Sequence, residues 1–510
     1  MELWRVLALG AMLDDKATGK ACGERLMEQK AVDIMKQVLE AQEKEPLVMQ
    51  TATVCLGAFS ELPAAGALIG ERIWMTLLVN LMSHFDDPAT VIAFAKMFAR
   101  ICSHNASAET VRSGLNKLTM ELLVEFQAEE VVACELFELM VVLTRPEVSN
   151  GQGAMNLYEN GFYKTLKSPL QSVSCMTLIP ICHILENFFS IPESETYCNY
   201  LIKSDFISLL LNLVKTHINQ EPFLVAAFPV LALIVRSLEG CSTFIALRGV
   251  SLITDLVDKH GDNEPLCASG LRVLASCSLD KSSFKELAEK GVIDVVLKHI
   301  DTAKAELLAV LLEIVKNMTT EESYVQMMEE RDVVSHFYGV VVRCSEYEEV
   351  MSGVTGACMH VCVSEKSRSL FLQQHMELEL IQVMKQHPSS KSVQYHGAAV
   401  LAALMKDMDL CGMLMEKDIL SIIIPAMALL AADPQAVKVL FEILQRLLDS
   451  SSINLEAAHF SNYAFMVAVG KVLENHHSTE AIVVPVLTSL VCAETRMPRF
   501  FVEVNEPIFF

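Results

Sequence analysis

Hydrophobic and polar positions along this chain follow a short phrase that recurs, not one long pattern. In "FKELAEKGVIDVVLKHI" (284–300) a stretch with apolar residues three and four apart meets Gly291, and a second such stretch opens on Val292. That spacing predicts two amphipathic helices joined at a hinge. Equivalent phrases, such as "NYLIKSDFISLL" and "YVQMMEERDVVSHF", place hinges at Ala31, Arg72, Gly114, Gly161, Asp205, Gly249, Gly291, Asp332, Met376, Asp418 and Asn462. The mean step of about 43 residues lies within the roughly 40 to 47 of two- or three-helix repeats.

Large apolar residues stand four positions before most hinges, as Leu201, Ile245, Leu287 and Leu372 do, and apolar residues follow nearly all of them, with Glu377 the exception. A third helix is expected 15 to 17 residues past the hinge, where the acid–proline pairs Glu45-Pro46, Asp87-Pro88, Glu221-Pro222, Glu264-Pro265 and Asp433-Pro434 stand. Proline in a first turn forfeits no hydrogen bond and the acid faces the positive end of the helix dipole, so these prolines start helices. The phrases after them are apolar on a wide stripe, as a helix sandwiched between neighbouring repeats should be. No alternating strand pattern competes. The polar "RPEVSNGQG" (145–153) reads as an inserted surface loop.

Composition changes the picture in two ways. The chain is 52% hydrophobic with a net charge of −23, so it has ample surface to bury and repels phosphate backbones and anionic lipid headgroups. Nucleic acid is not an expected partner, and no apolar run reaches the roughly 20 residues that cross a bilayer. The 15 cysteines are irregularly spaced in apolar phrases, where a free thiol packs as a small hydrophobe. A reducing compartment is expected, the cytoplasm, with nuclear or cytoskeletal association left open. There is no phosphate-binding glycine loop, GxSxG elbow or HExxH motif, and "CMHVC" (358–362) would turn His360 away from its two cysteines on a helix. No catalytic, cofactor or metal site is expected.

With its short first helix, "GV" hinge (Gly249-Val250, Gly291-Val292) and long third helix, the chain resembles the armadillo repeat over nearly its whole length. The resemblance implies an all-α fold, a right-handed α-solenoid of about eleven three-helix repeats. One solenoid would span 1–510: 1–13 as a third helix alone, about eleven repeats over 14–498, and 499–510 as the start of a further repeat or an irregular cap. Those ends suggest one stretch of a longer array, or an array whose ends a partner covers.

The resemblance also implies binding of extended peptides along the third helices, often through an asparagine ladder. Asn187 and Asn317, each 26 residues past its hinge, fit that ladder, while most equivalent positions carry other residues. The tryptophan array of nuclear import adaptors is not matched, since Trp4 and Trp74 are the only tryptophans. Acidic residues on third helices, including Glu135, Glu138, Glu306 and Glu313, would attract a basic segment if they face a groove, and a solvated edge is the plainer reading. The expectation is a non-catalytic scaffold binding partner proteins within a larger assembly. The alternatives are a client-binding regulator of chaperone or exchange-factor type, and the solenoid arm of a multidomain enzyme.

Overall fold

The computed structural model describes residues 31–41, 45–59, 69, 87–104, 109–126, 128–146, 152–159, 161–162, 174–189, 191–406, 410–450 and 462–496. Every extended element among them is a helix and none is a strand. The expectations for 1–13, 499–510 and the Arg72 hinge lie outside these residues. The chain forms two compact units, Met1–Gly249 and Val250–Phe510.

Hinges are set by backbone geometry. Gly161, Asp205, Arg248, Gly291, Asp332, His375 and Asp418 take positive φ, from 56° to 75°, at intervals of 41 to 44 residues. Left-handed backbone costs an L-residue roughly 1–2 kcal/mol; glycine escapes that cost, and Asp, Asn and His adopt the region more readily than other side chains do. Five of the seven are not glycine; four of these are Asp or His, and packing on either side helps to hold the turn, above all at Arg248. Four positions before them stand Leu157, Leu201, Phe244, Leu287, Met328, Phe371 and Leu414, none more than 2% exposed. One position after, Phe162, Phe206, Val292, Val333, Met376 and Ile419 are buried. Each such side chain contributes about 1.5–3 kcal/mol on burial, enough to offset the strain.

Three sequence-based hinges are corrected by this geometry. The turn lies at Arg248, not Gly249, and at His375, not Met376. Gly249 is small for another reason, since a Cβ there would come within 2.3 Å of the Phe244 ring. With the register moved by one, Phe244 and Phe371 become the knobs in place of half-buried Ile245 and Leu372, and the exception at Glu377 disappears. At Gly114 there is no hinge, because one helix, Glu109–Glu125, runs through it. The expected loop at 145–153 is shorter than the sequence suggested, since Gln152 and Gly153 open the helix Gln152–Glu159.

The third helices begin where the acid–proline pairs predict. Asp433 accepts hydrogen bonds from the amides of Gln435 (2.9 Å) and Ala436 (3.2 Å), and Asp87 accepts from Thr90 (2.9 Å). Such caps satisfy amides that no helical carbonyl can reach. In the first unit Pro46–Phe59, Pro88–His104, Glu130–Thr144, Cys175–Phe188 and Glu221–Val235 pack each on the next. In the second, Glu264–Cys277, Ala305–Met318, Glu348–Val361, Lys391–Leu404, Pro434–Asp449 and Glu480–Arg496 do the same. Each ladder is walled by the first and second helices, an architecture in which a repeat buries its apolar face only against its neighbours.

Polar links of about one repeat in length join the layers. Lys298 pairs with Asp258, Lys281 with Glu321 and Arg331 with Asp294, each at 2.6 Å. These pairs are largely solvent-exposed, and exposed pairs contribute at most about 1 kcal/mol, so apolar burial carries the stacking. Pro180, inside Cys175–Phe188, cannot donate to the Met176 carbonyl four residues back, and the thiol of Cys134 on the preceding third helix does so instead at 3.2 Å. Burial, then Glu138, Glu135 and Glu130, push that thiol up to about 11, which keeps it protonated as the bond requires.

Candidate functional site

In the second unit, helical periodicity puts Glu306, Ala309, Val310, Glu313 and Lys316 on one face of Ala305–Met318. That face looks onto the starts of the next two third helices. Glu348, Glu349, Ser352 and Gly353 come from Glu348–Val361, and Ser390 and Ser392 from the head of Lys391–Leu404. Together they line a hollow of about 480 Å³. The small residues leave it open, and Gly353 lets two helices close up, since a Cβ there would lie 2.9 Å from Leu312 Cβ. A larger hollow of about 1380 Å³ shares Arg272, Glu306, Glu348 and Glu349 with it and reaches Lys304, Glu346 and Tyr347. The two are continuous parts of one groove.

The groove is acidic at its centre. Glu306, Glu313, Glu348 and Glu349 are all exposed and none is held in an ion pair among the described residues. Of the nearby cations, Lys304 is bonded to Glu264 and Arg343 spends its guanidinium on the carbonyls of Ile300 and Asp301, whereas Arg272 and Lys316 line the hollow and are held in no ion pair among the described residues. The neighbouring Glu346 carboxylate raises the Tyr347 phenol above the ordinary value. Ser390 is the second notable polar group. It is 5% exposed and lines the hollow, yet its hydroxyl caps no amide and has no hydrogen-bond partner among the described residues. Its oxygen is open to the hollow, where water or a ligand can complete the bond.

Of the residues singled out in the sequence, Glu306 and Glu313 are therefore brought together in the groove. Glu135 and Glu138 belong to the first unit, where Glu135 pairs with Lys96 at 3.1 Å and Glu138 is exposed. Both asparagines tie one repeat to the one before it. The amide of Asn187 donates to Thr144 Oγ1 at 2.9 Å and that of Asn317 to Ser278 Oγ at 2.9 Å. Arg446 performs the same task on the Met405 carbonyl at 2.8 Å. Arg272, Lys316 and Ser390 escaped the sequence reading. Counting from the corrected hinges, 24, 25 and 15 residues past Arg248, Gly291 and His375, would have put them on the third-helix face or its approach. His360 is half-buried between buried Cys358 and Cys362, and among the described residues no group of three or more His, Cys, Asp or Glu could hold a metal ion. No single described helix is long and apolar enough to cross a membrane.

The sequence matches no protein-family model and no curated protein. Solved structures do resemble the fold. An engineered protein aligns over 88% of this chain and 99% of its own, with a TM-score of 0.63 and 16% identity. A structure from work on a phosphorylation switch in the interaction between cadherin and beta-catenin aligns over 93% of this chain and 84% of its own, at a TM-score of 0.55 and 11% identity. The protein SYS-1 aligns over 91% of this chain and 99% of its own, at 0.53 and 11%. At these identities the likeness is one of fold, and the fold is the armadillo-type α-solenoid.

Proposed function

We propose that this chain is a non-catalytic scaffold that holds an extended, basic segment of a partner protein along the third helices of its second unit. The observation that carries the reading is the groove itself, with four unpaired glutamates and an unpartnered, nearly buried Ser390 hydroxyl facing one hollow. Carboxylates placed this way raise the encounter rate of a cationic segment and penalise an anionic one, while free hydroxyl and small side chains leave room for a peptide backbone. The armadillo-type fold supports the reading, since a neighbour of that fold comes from the interaction between cadherin and beta-catenin. The thirteen cysteines whose side chains are described are free thiols, most of them buried, which fits residence in the reducing cytoplasm.

The test is fluorescence anisotropy of labelled arginine-rich and glutamate-rich peptides against the full chain. The arginine peptide should bind at least tenfold more tightly, with affinity falling as salt rises. The double variant Glu306→Lys, Glu349→Lys should abolish that preference while leaving the helical circular dichroism unchanged. Equal binding of the two peptides, or a preference untouched by the double variant, contradicts the reading.

A further inference from the structure

We infer that the groove reads a charge-split segment: a basic side chain beside Glu306, Glu348 and Glu349, and a carboxylate side chain four or five residues along, beside Lys316. The inference rests on the groove reading above and adds a register to it. Glu306 and Lys316 share one helix face and line the same hollow. At a rise of about 1.5 Å per residue they lie about 15 Å apart along the axis. An extended chain advances about 3.3 Å per residue, so four or five residues cover that distance.

The far end of the hollow differs in character from its centre. Lys316 is half-buried and is held in no ion pair or side-chain hydrogen bond among the described residues, in a chain whose net charge is −23. Its stem lies over Gly356, where a Cβ would meet Lys316 Cδ at 2.9 Å and His396 Cε1 at 3.1 Å. The missing side chain lets lysine and imidazole converge from flanking third helices. His396 itself is anchored, its Nδ1 lying 3.3 Å from the Ser352 carbonyl. A half-buried lysine held in no ion pair is a place where an incoming carboxylate finds an open partner. Glu313 stands between the two ends and separates them. Ser390, at the head of the next third helix, lines the same hollow.

The experiment uses the full chain and labelled Gly/Ser decapeptides. One carries two arginines only. Two others add a glutamate five positions away, one for each chain direction, and a control places that glutamate next to an arginine, so that net charge is fixed and only spacing changes. One spaced peptide should bind about two- to fivefold more tightly than the arginine-only peptide, as one partly exposed ion pair adds. The adjacent control should bind more weakly than arginine alone. Lys316→Gln, which keeps most of the stem over Gly356, should bring the spaced peptides level with or below the arginine-only peptide measured on the same variant. Spaced peptides no tighter than the arginine-only peptide in either direction, or a gain that survives Lys316→Gln, overturn the register and leave the groove reading standing. Absence of binding by every peptide overturns both.

Discussion

The displaced hinge at His375 makes a sharp prediction about two neighbouring residues. If the turn lies there, Phe371 is the knob and Leu372 is not. Phe371 is completely buried, whereas Leu372 is only half-buried. A phenylalanine ring withdraws some 150–250 Å² from water, which at about 25 cal/mol per Å² amounts to about 4–6 kcal/mol as an upper bound. Truncations of buried phenylalanines cost about 3–5 kcal/mol once cavity formation and relaxation are included. Phe371→Ala should therefore lose about 3–5 kcal/mol, and Leu372→Ala about 1 kcal/mol, since half of a smaller side chain is already wet. Because each repeat contacts only its neighbours, the loss should be local. Urea denaturation followed by circular dichroism would show a lower midpoint for Phe371→Ala. Hydrogen exchange should report lost protection concentrated in Glu365–Gln373, Met376–Gln386 and the helices packed on them. Equal destabilisation by the two variants, or a larger loss from Leu372→Ala, would refute the register.

Two further predictions concern side chains bridging repeats. Asn317→Ala should cost about 1 kcal/mol through loss of its bond to Ser278, with a coupling of about 0.5–1 kcal/mol in the double-mutant cycle with Ser278→Ala, and should leave arginine-peptide affinity unchanged. A loss of affinity without loss of stability would return Asn317 to the role of a ligand-binding amide. His396 should make stability pH-dependent. Burial first, then Lys316 and His360, hold its pKa below the ordinary 6.5, against the opposing bond to the Ser352 carbonyl. The unfolded chain then binds more protons than the folded one, so this contribution is complete above about pH 6.5 and is lost as pH falls from there toward the lowered folded value. The wild-type melting temperature should fall more than that of His396→Gln between about pH 7.5 and 5.5, and parallel profiles would contradict the assignment.

The repeat was legible because each unit needs the same few residues in the same places: a knob such as Leu287 or Leu414, an apolar opener such as Val292, an acid–proline start such as Asp433-Pro434. Hinge identity was less legible, because five of seven left-handed residues carry side chains and the packing around them helps to hold the turn. Gly249 looks like a hinge and is a contact glycine. Gly114 looks like one and lies inside a helix. The groove was half legible. Glu306 and Glu313 could be placed on a third helix by period alone, but the free hydroxyl of Ser390 and the unpaired ammonium of Lys316 depend on what neighbouring helices offer, which no single-repeat pattern records. Asn187 and Asn317 occupy ladder positions, yet hydroxyls at the ends of the preceding third helices capture their amides.

The most direct measurement is carbodiimide cross-linking of a lysine-containing basic peptide to the full chain, with the linked residues mapped by mass spectrometry. The reagent joins an amine to a carboxylate in contact with it and adds no spacer, so it reports where the peptide's positive charges rest. Links concentrated on Glu306, Glu313, Glu348 and Glu349 are the predicted result. Links scattered among other acidic surfaces, or absent from those four while present elsewhere, would contradict the groove as the binding site.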